Sequence, residues 1–420
     1  MATSYDRHFV CVIFMPKNHR PTILFVGPVP PPVFGQAIAM RVLLDSSELR
    51  DRYNVVHVNT NNVNKSGMRR VFSTGFSLSQ CLWASLSRRP STIYLTITRS
   101  KLGCIKDCIV LSLARVRGTS VVVHLHGGDL AVFYQSLGGF GKRLIHWAYR
   151  HITLGIVLGE SLRPQFNGLL PPDRVRVVSN TWLAGECALP ARRPQRQRHE
   201  PLKIAFVSNV LPSKGLYDAL EGVAWAVREG VDLEFRFAGQ FMDHDGAIAK
   251  LPELEHENEP AQMLEERYFR MVHSLGIAGH VIRIGAVTGL QKWQLLAETD
   301  ALLLPIYNPM EGQPLVAIEA MRMGCALIST RCGGLADIVV DSITGRVVPA
   351  GNPEMIGRAI KWFWDHPADL TRIGRANMAR AEELHSPARH IRGIVESLEE
   401  AIGCSGRNRV PVADIPPSKP

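Results

Sequence analysis

Short apolar runs recur along this 420-residue chain, each emptying into a Gly- or Pro-containing loop and then a helical pattern. The first is 22–27 (TILFVG). Further strands are expected at 53–59, 92–96, 120–124, 153–158 and 175–178. After a Pro- and Arg-rich stretch without periodicity the pattern restarts, with strands at 202–207, 234–239, 281–285, 301–304, 326–329 and a short one from 344. Helices are expected between them, at 37–44, 68–89, 106–117, from 216, at 268–275, 290–298 and over 353–403. Strands that are apolar throughout, separated by helix-length segments, require parallel sheets covered on both faces. The fold class is therefore α/β, with two Rossmann-like doubly wound domains. The expected boundaries are 1–184 and 201–375, a linker at 185–200, closing helices over 376–403 and a disordered tail at 404–420. Residues 1–20 read as a poorly specified lead-in, and 240–265 as a long acidic excursion.

The stretch 302–324, LLLPIYNPMEGQPLVAIEAMRMG, carries the clearest chemical signal. It reads as strand, loop and helix. Pro314 suits the first turn of a helix, where its missing N–H costs nothing, and Gly324 ends that helix. Glu311 lies in the loop and Glu319 in the second turn, on the face of Leu315. A loop that delivers free backbone N–H groups at a helix N-terminus can bind an anion or the polar edge of a sugar. On spacing alone the two acids read equally as a solvated loop acid and a surface helix residue.

EGQPLVAIEAMRMG resembles the signature of the retaining enzymes of glycosyltransferase family 4, which have the GT-B fold: Glu, seven residues, Glu, then Ala-Met and a Gly. Other landmarks agree in order from about residue 22 to about 400. The Pro-rich loop 28–36 contains Gly35 where the family has a Gly beside the donor phosphates and the acceptor. HLHGGDL at 124–130 places His126 at the end of a strand, where open α/β sheets bind ligands. Gly127 and Gly128 there let a backbone approach closely. The family's His at this place lies against the donor sugar. Asn180 matches an Asn that ends the last strand of the first half and reads as structural. The resemblance also implies that the two α/β domains face each other across a cleft and that the last helix crosses back onto the first domain.

Lys214 stands at the start of a helix, where a cation opposes the helix dipole unless an anion shares the site. The family's Lys at this position contacts the nucleotide diphosphate. An Arg is usual five residues before it; here the residue is Asn209, which removes one charge from the expected clamp. Gly333-Gly334 match a glycine turn facing the donor, and Asp337 stands where a Glu is usual.

By the resemblance, Lys214 holds the diphosphate with Ser208 and Asn209. The backbone of Gly312, Gln313, Pro314, Leu315 and Val316 holds the donor sugar and phosphate. Glu311 holds sugar hydroxyls, Glu319 the ribose hydroxyls, and His126 reaches the sugar from the opposite domain. The catalytic candidates are thus His126, Lys214 and Glu311. The implied activity is a retaining, metal-independent transfer of a hexose from a nucleotide-diphosphate sugar, with no cofactor. Two other readings stay open: a nucleotide-sugar epimerase of the same fold, and a scaffold that binds nucleotide sugar without catalysis.

Charge points to the acceptor. Residues 1–184 carry 22 Lys and Arg against 8 Asp and Glu, whereas 201–420 carry 22 against 28. A basic first half fits an anionic surface or acceptor. No zinc-finger spacing, basic zipper or aromatic RNA signature accompanies it, which excludes a nucleic-acid partner. A glycan or lipid-linked acceptor in surface-polysaccharide assembly is expected. The segment 68–89 combines Arg pairs at both ends with Val71, Phe72, Phe76, Leu78, Leu82, Trp83 and Leu86. Such a stripe rests on an anionic membrane surface or packs on its own sheet. The eight scattered cysteines read as reduced thiols. With no run of about 18 apolar residues and no signal-peptide pattern, the expected location is cytoplasmic, at the inner face of the cytoplasmic membrane.

Overall fold

The structure is a computed structural model that describes residues 20–32, 34–61, 67–183, 200–243 and 259–405. The expected lead-in, most of the linker and the tail lie outside the described residues, as does the middle of the 240–265 excursion. The first half contains strands β1 (Thr22–Gly27), β2 (Asn54–Asn59), β3 (Thr92–Thr96), β4 (Ser120–Leu125), β5 (Leu154–Val157) and β6 (Val175–Val177). Between them run helices α1 (Gly35–Asp45), α2 (Ser47–Arg52), α3 (Gly67–Arg88), α4 (Lys101–Arg117), α5 (Leu130–Gln135) and α6 (Gly139–Tyr149). The second half contains β7 (Leu202–Val207), α7 (Leu216–Arg228), β8 (Leu233–Ala238), α8 (Ala261–Ser274), β9 (Val281–Arg283), α9 (Gly289–Ala297), β10 (Ala301–Leu304), α10 (Leu315–Arg322), β11 (Ala326–Ser329) and β12 (Gly345–Val347). Helices α11 (Pro353–Asp365), α12 (Pro367–His385) and α13 (Pro387–Ser405) close the chain.

Each half forms one six-stranded sheet, ordered β2-β1-β3-β4-β5-β6 and β12-β11-β10-β7-β8-β9. Every pairing in both is parallel. The direction of strand addition reverses beside β1 in the first sheet and beside β7 in the second. At such points the neighbouring loops splay apart and leave a crevice at the strands' C-terminal ends.

Burial follows the period-2 alternation of a strand. Leu24, Val26, Ile93, Leu95, Val121 and Val123 face α3, α4 and α6. Ile23, Phe25, Tyr94, Val122, Leu154 and Ile156 face α1 and α13. Helix α13 therefore covers the first sheet although it follows the second in sequence. Its Ile394, Leu398 and Ala401 join that core. The Ser120 hydroxyl donates to the Ala401 carbonyl at 2.8 Å, and Arg176 and Arg52 pair with Glu400 and Glu399.

Element starts differ from the sequence expectation in several places, most at α8, which begins at Ala261 rather than at 268, inside the segment read as an acidic excursion. Helix α4 begins at Lys101 rather than at 106, because Ser100 caps it by accepting from the Gly103 N–H. Pro314 stands just outside the first turn of α10, as its N-cap.

Leu398 is fully buried in a layer that belongs to another half of the chain. Leu398→Ala should destabilise the first half by about 2–5 kcal/mol, read as a lower urea midpoint for the transition that releases the first sheet. A loss under about 1 kcal/mol would be within a surface substitution's range and would mean that α13 only rests on the sheet.

Candidate functional site

The loops at the two reversal points face each other and enclose a cleft of ≈ 1220 Å³. From the first sheet come Pro30 and Gly35 after β1, Arg99 after β3 and His126 after β4. From the second come Ser208 and Asn209 after β7, Gly239 and Gln240 after β8, Lys292 from α9, and the stretch from Glu311 to Glu319. Of the sequence candidates, Gly35, His126, Ser208, Asn209, Glu311, Gly312, Gln313, Pro314, Leu315, Val316 and Glu319 all line this cleft. Lys214 stands behind its wall and reaches it through Glu311.

Each of the two acids has a lysine. Lys214 Nζ donates to Glu311 Oε2 at 2.5 Å. Lys292 Nζ donates to Glu319 Oε1 at 2.5 Å. Neither acid is free on the surface. Glu319 is 3% exposed, and its Oε2 is buried without a partner. A buried acceptor left open costs about 1–3 kcal/mol, which a ligand hydroxyl donating to it would remove. Lys214 ends a short 3₁₀ turn, Pro212–Lys214, followed by Gly215 in the left-handed region at φ 77°. A Cβ at Gly215 would meet the Pro305 carbonyl oxygen at 2.3 Å. Glycine there lets the β7–α7 loop cross the end of β10 and bring Lys214 to Glu311.

The residue after β7 is accounted for locally. Asn209 Oδ1 accepts from the Gln240 N–H at 3.4 Å, and the Ser208 hydroxyl donates to the Asn209 carbonyl at 3.0 Å. Sequence reasoning missed Lys292 and Arg99. Lys292 lies in an ordinary amphipathic helix, and only the topology sets it beside an acid 27 residues later. Arg99 follows β3, with its Nε 2.6 Å from Asp129 Oδ1 and its Nη1 buried without a partner. A signal for it existed in its place, just past a strand on the cleft side.

The two halves touch at the site itself. The Gly128 N–H donates to the Met310 carbonyl at 2.8 Å. A Cβ at Gly312 would lie 2.3 Å from the His126 carbonyl oxygen. The Gln313 side-chain oxygen accepts from the Asn180 N–H at 2.9 Å, and the Asn180 amide donates to the Gln313 carbonyl at 3.2 Å. Gln313 thus joins the halves through its side-chain oxygen and its backbone carbonyl. Asp337 also joins them, accepting from the Ser161 hydroxyl at 2.5 Å and the Ser161 N–H at 3.1 Å.

The His126 ring packs on His124, with centroids 3.9 Å apart. Both His126 ring nitrogens are buried and without a partner. Burial, with His390 and Arg99 adding like charge, pushes its pKa down to about 3. The imidazole is therefore neutral near pH 7, offering one donor and one acceptor. Behind it, His124 shares a 2.5 Å hydrogen bond with the Tyr94 hydroxyl. His390 and His385 of the closing helices bond the carbonyls of Ser179 and Asn180. Burial lowers both to about 4.

Residues 190–380 match the family model described as "Glycosyl transferases group 1". Over 276 residues the chain is 23% identical to a glycogen synthase of Mycobacterium tuberculosis, covering 64% of this chain and 60% of that enzyme. The structure of Anabaena Alr3699/HepE in complex with UDP superposes at a TM-score of 0.66 and 15% identity, over 90% of this chain and 99% of that one. Sucrose-phosphate synthase from Thermosynechococcus elongatus superposes at 0.65 and 13% identity, over 91% and 100%. The two sheets facing across a cleft are the GT-B fold.

The buried histidines set a pH dependence. Each has a folded pKa below the unfolded value of about 6.5, so below that pH the unfolded chain binds more protons and stability falls. For His385 and His390 the loss should run from about pH 6.5 down to their folded values of about 4. Between pH 5 and 6 His385 and His390 should each contribute a slope of about 1 kcal/mol per pH unit. His390→Asn should flatten the measured stability–pH curve by about that amount; an unchanged slope would show that His390 does not hold its proton back.

Proposed function

We propose that this protein transfers a hexose from a nucleotide-diphosphate sugar to an acceptor hydroxyl with retention of configuration. The observation that carries the reading is the pair of Lys–Glu contacts, Lys214–Glu311 and Lys292–Glu319, facing an open, neutral His126 across one cleft. Transfer of this kind needs fixed positive charge where the diphosphate leaves, and hydroxyl acceptors that orient the sugar and ribose. Lys214 and Lys292 supply the charge. Lys292 makes up for the cation absent at Asn209. Glu311, through the oxygen not held by Lys214, accepts from sugar hydroxyls, and Glu319 Oε2 accepts from the ribose. His126 meets the sugar from the first half. The cations are side chains, so the reading calls for no metal.

A double displacement would place a carboxylate nucleophile about 5 Å from an acid partner. Glu311 is instead held by a lysine, which lowers its nucleophilicity. Front-face attack fits better. The acceptor oxygen bonds to the anomeric carbon on the side from which the phosphate departs, the carbon–phosphate-oxygen bond breaks, and the acceptor proton passes to the leaving phosphate. The acceptor in this reading is a lipid-linked glycan intermediate in surface-polysaccharide assembly, met at the inner face of the cytoplasmic membrane. The basic first half supports it.

UDP, present in the Anabaena complex, is the first nucleotide to test, with GDP and ADP beside it. At about 100 times its dissociation constant the right one should stabilise the protein by about 2.7 kcal/mol, a rise of a few degrees in Tm. Lys214→Ala and Glu319→Gln should each abolish most of that rise. No rise with any of the three would sink the reading of the second half as a donor site. A glycosyl adduct trapped on Glu311 would sink front-face attack.

A further inference from the structure

Helix α3 is amphipathic the wrong way round for a helix that only covers a sheet. It buries Thr74, Ser77, Cys81, Ala84 and Ser85. Toward solvent it turns Met68, Phe72, Phe76, Trp83 and Leu86, with Phe72 70%, Phe76 62% and Trp83 55% exposed. Their spacing of 4, 4, 7 and 3 residues keeps all five within one stripe of the helix. Its neighbour α4 buries Cys104, Cys108, Val110, Leu111 and Ala114 against the sheet and still presents apolar residues outward. There Lys106 and Asp107 are buried as an ion pair at 2.7 Å, 5% and 2% exposed, while Ile105, Ile109 and Val116 face out. On α6, packed against α4, Phe140 and Trp147 are exposed and Arg143 and Arg150 stand between and after them. Of the twenty exposed large apolar side chains among the described residues, eleven lie on these three helices. That concentration is too high for the scattered apolar residues of an ordinary surface.

The charge on this face has one sign. From Tyr53 to Gly159 the chain has thirteen Lys and Arg and two acids, Asp107 and Asp129. Both acids are held by their own cations, Lys106 and Arg99. The Arg88 guanidinium lies 5.6 Å from the Trp83 ring, and that of Arg115 5.6 Å from the Trp147 ring. Aromatic rings and cations interleaved at one level suit the boundary between headgroups and acyl chains. No described helix is long and apolar enough to cross a membrane, so contact of this kind lies on the surface.

We propose that the outer face of α3, α4 and α6 docks on an anionic phospholipid bilayer. A second copy of the chain fits worse, since a two-fold contact would set this cationic face against itself. A nucleic acid would engage the cations but leave Phe72, Phe76 and Trp83 in water. The face also reaches the cleft. Crossover helices start at the C-terminal ends of their strands, and Arg99, on the cleft wall, directly precedes the Ser100 cap of α4. Met68 and Lys101 are thus at the cleft end of the docking face. A lipid-linked acceptor could keep its tail in the bilayer while its head group enters the cleft. That last step rests on the proposed glycosyl transfer; the docking does not.

Flotation of the full chain with vesicles separates the two. The chain should float with vesicles of phosphatidylcholine and phosphatidylglycerol at about 0.1 M salt, stay in solution with phosphatidylcholine alone, and lose binding at about 1 M salt. The exposed triple variant F72S/F76S/W83S should bind the mixed vesicles about tenfold less. Its circular dichroism and its nucleotide-induced rise in Tm should be unchanged, since none of the three lines the cleft. A wild-type chain that fails to float, or a variant that floats as well as wild type, overturns the proposal. So does a wild-type dimer in sedimentation that the variant abolishes, which would give the face to a second copy. Equal binding of wild type and variant to a DNA duplex, with no flotation, would give it to nucleic acid and equally overturn it.

Discussion

The structure depends on one seam of bare backbone. The turn after β4 and the loop after β10 meet without side chains between them: Gly128 donates to Met310, and Gly312 lies where any Cβ would strike the His126 carbonyl. Side chains of ordinary size would hold these loops apart by several ångströms. Glycines on both sides bring the His126 ring and the Glu311 carboxylate into one cleft even though they belong to different sheets. The Asn180–Gln313 and Ser161–Asp337 hydrogen bonds then fix the register of that contact. Polar groups at such a seam hold their positions because an unmatched one would be buried without a partner.

The two α/β halves were legible because fully buried parallel strands read as continuous apolar runs. TILFVG and ALLL needed no partner to be recognised. β9 is shorter than its pattern suggested, Val281–Arg283 in place of 281–285, and it is partly exposed. The acids of the cleft were legible only through the resemblance, whose pattern has two Glu with seven residues between them; spacing alone left them undecided. Their lysines were only half legible. Lys214 announced itself by a charge placed against a helix dipole, but Lys292 did not, because its partner lies on another helix. Burial was the other unreadable quantity. Spacing left Glu319 free to be a surface residue, and the structure puts it at 3% exposure. In α3 the stripe of large apolar residues suited either a membrane surface or its own sheet, and it is the small residues that meet the sheet. Cys81 and Ala84 sit against the sheet core in the close-packed space between α3 and α4, and the large side chains are left outside.

The second sheet and the closing helices act together on the first. α13 completes the first core, while His385 and His390, at and just beyond the junction of α12 and α13, hold the carbonyls of Ser179 and Asn180. The chain passes between its halves twice, once after β6 and once at this junction, and the two crossings are hydrogen-bonded to each other.

The Lys–Glu pairs have a consequence for exchange. A cation that waits alone in a cleft binds an arriving anion tightly and is equally slow to give it up. Lys214 and Lys292 each keep a carboxylate at 2.5 Å, so an anion arriving in the cleft meets cations whose charge is already largely balanced. The attraction it gains is smaller than a bare lysine would give, which exchanges tight grip for ready release.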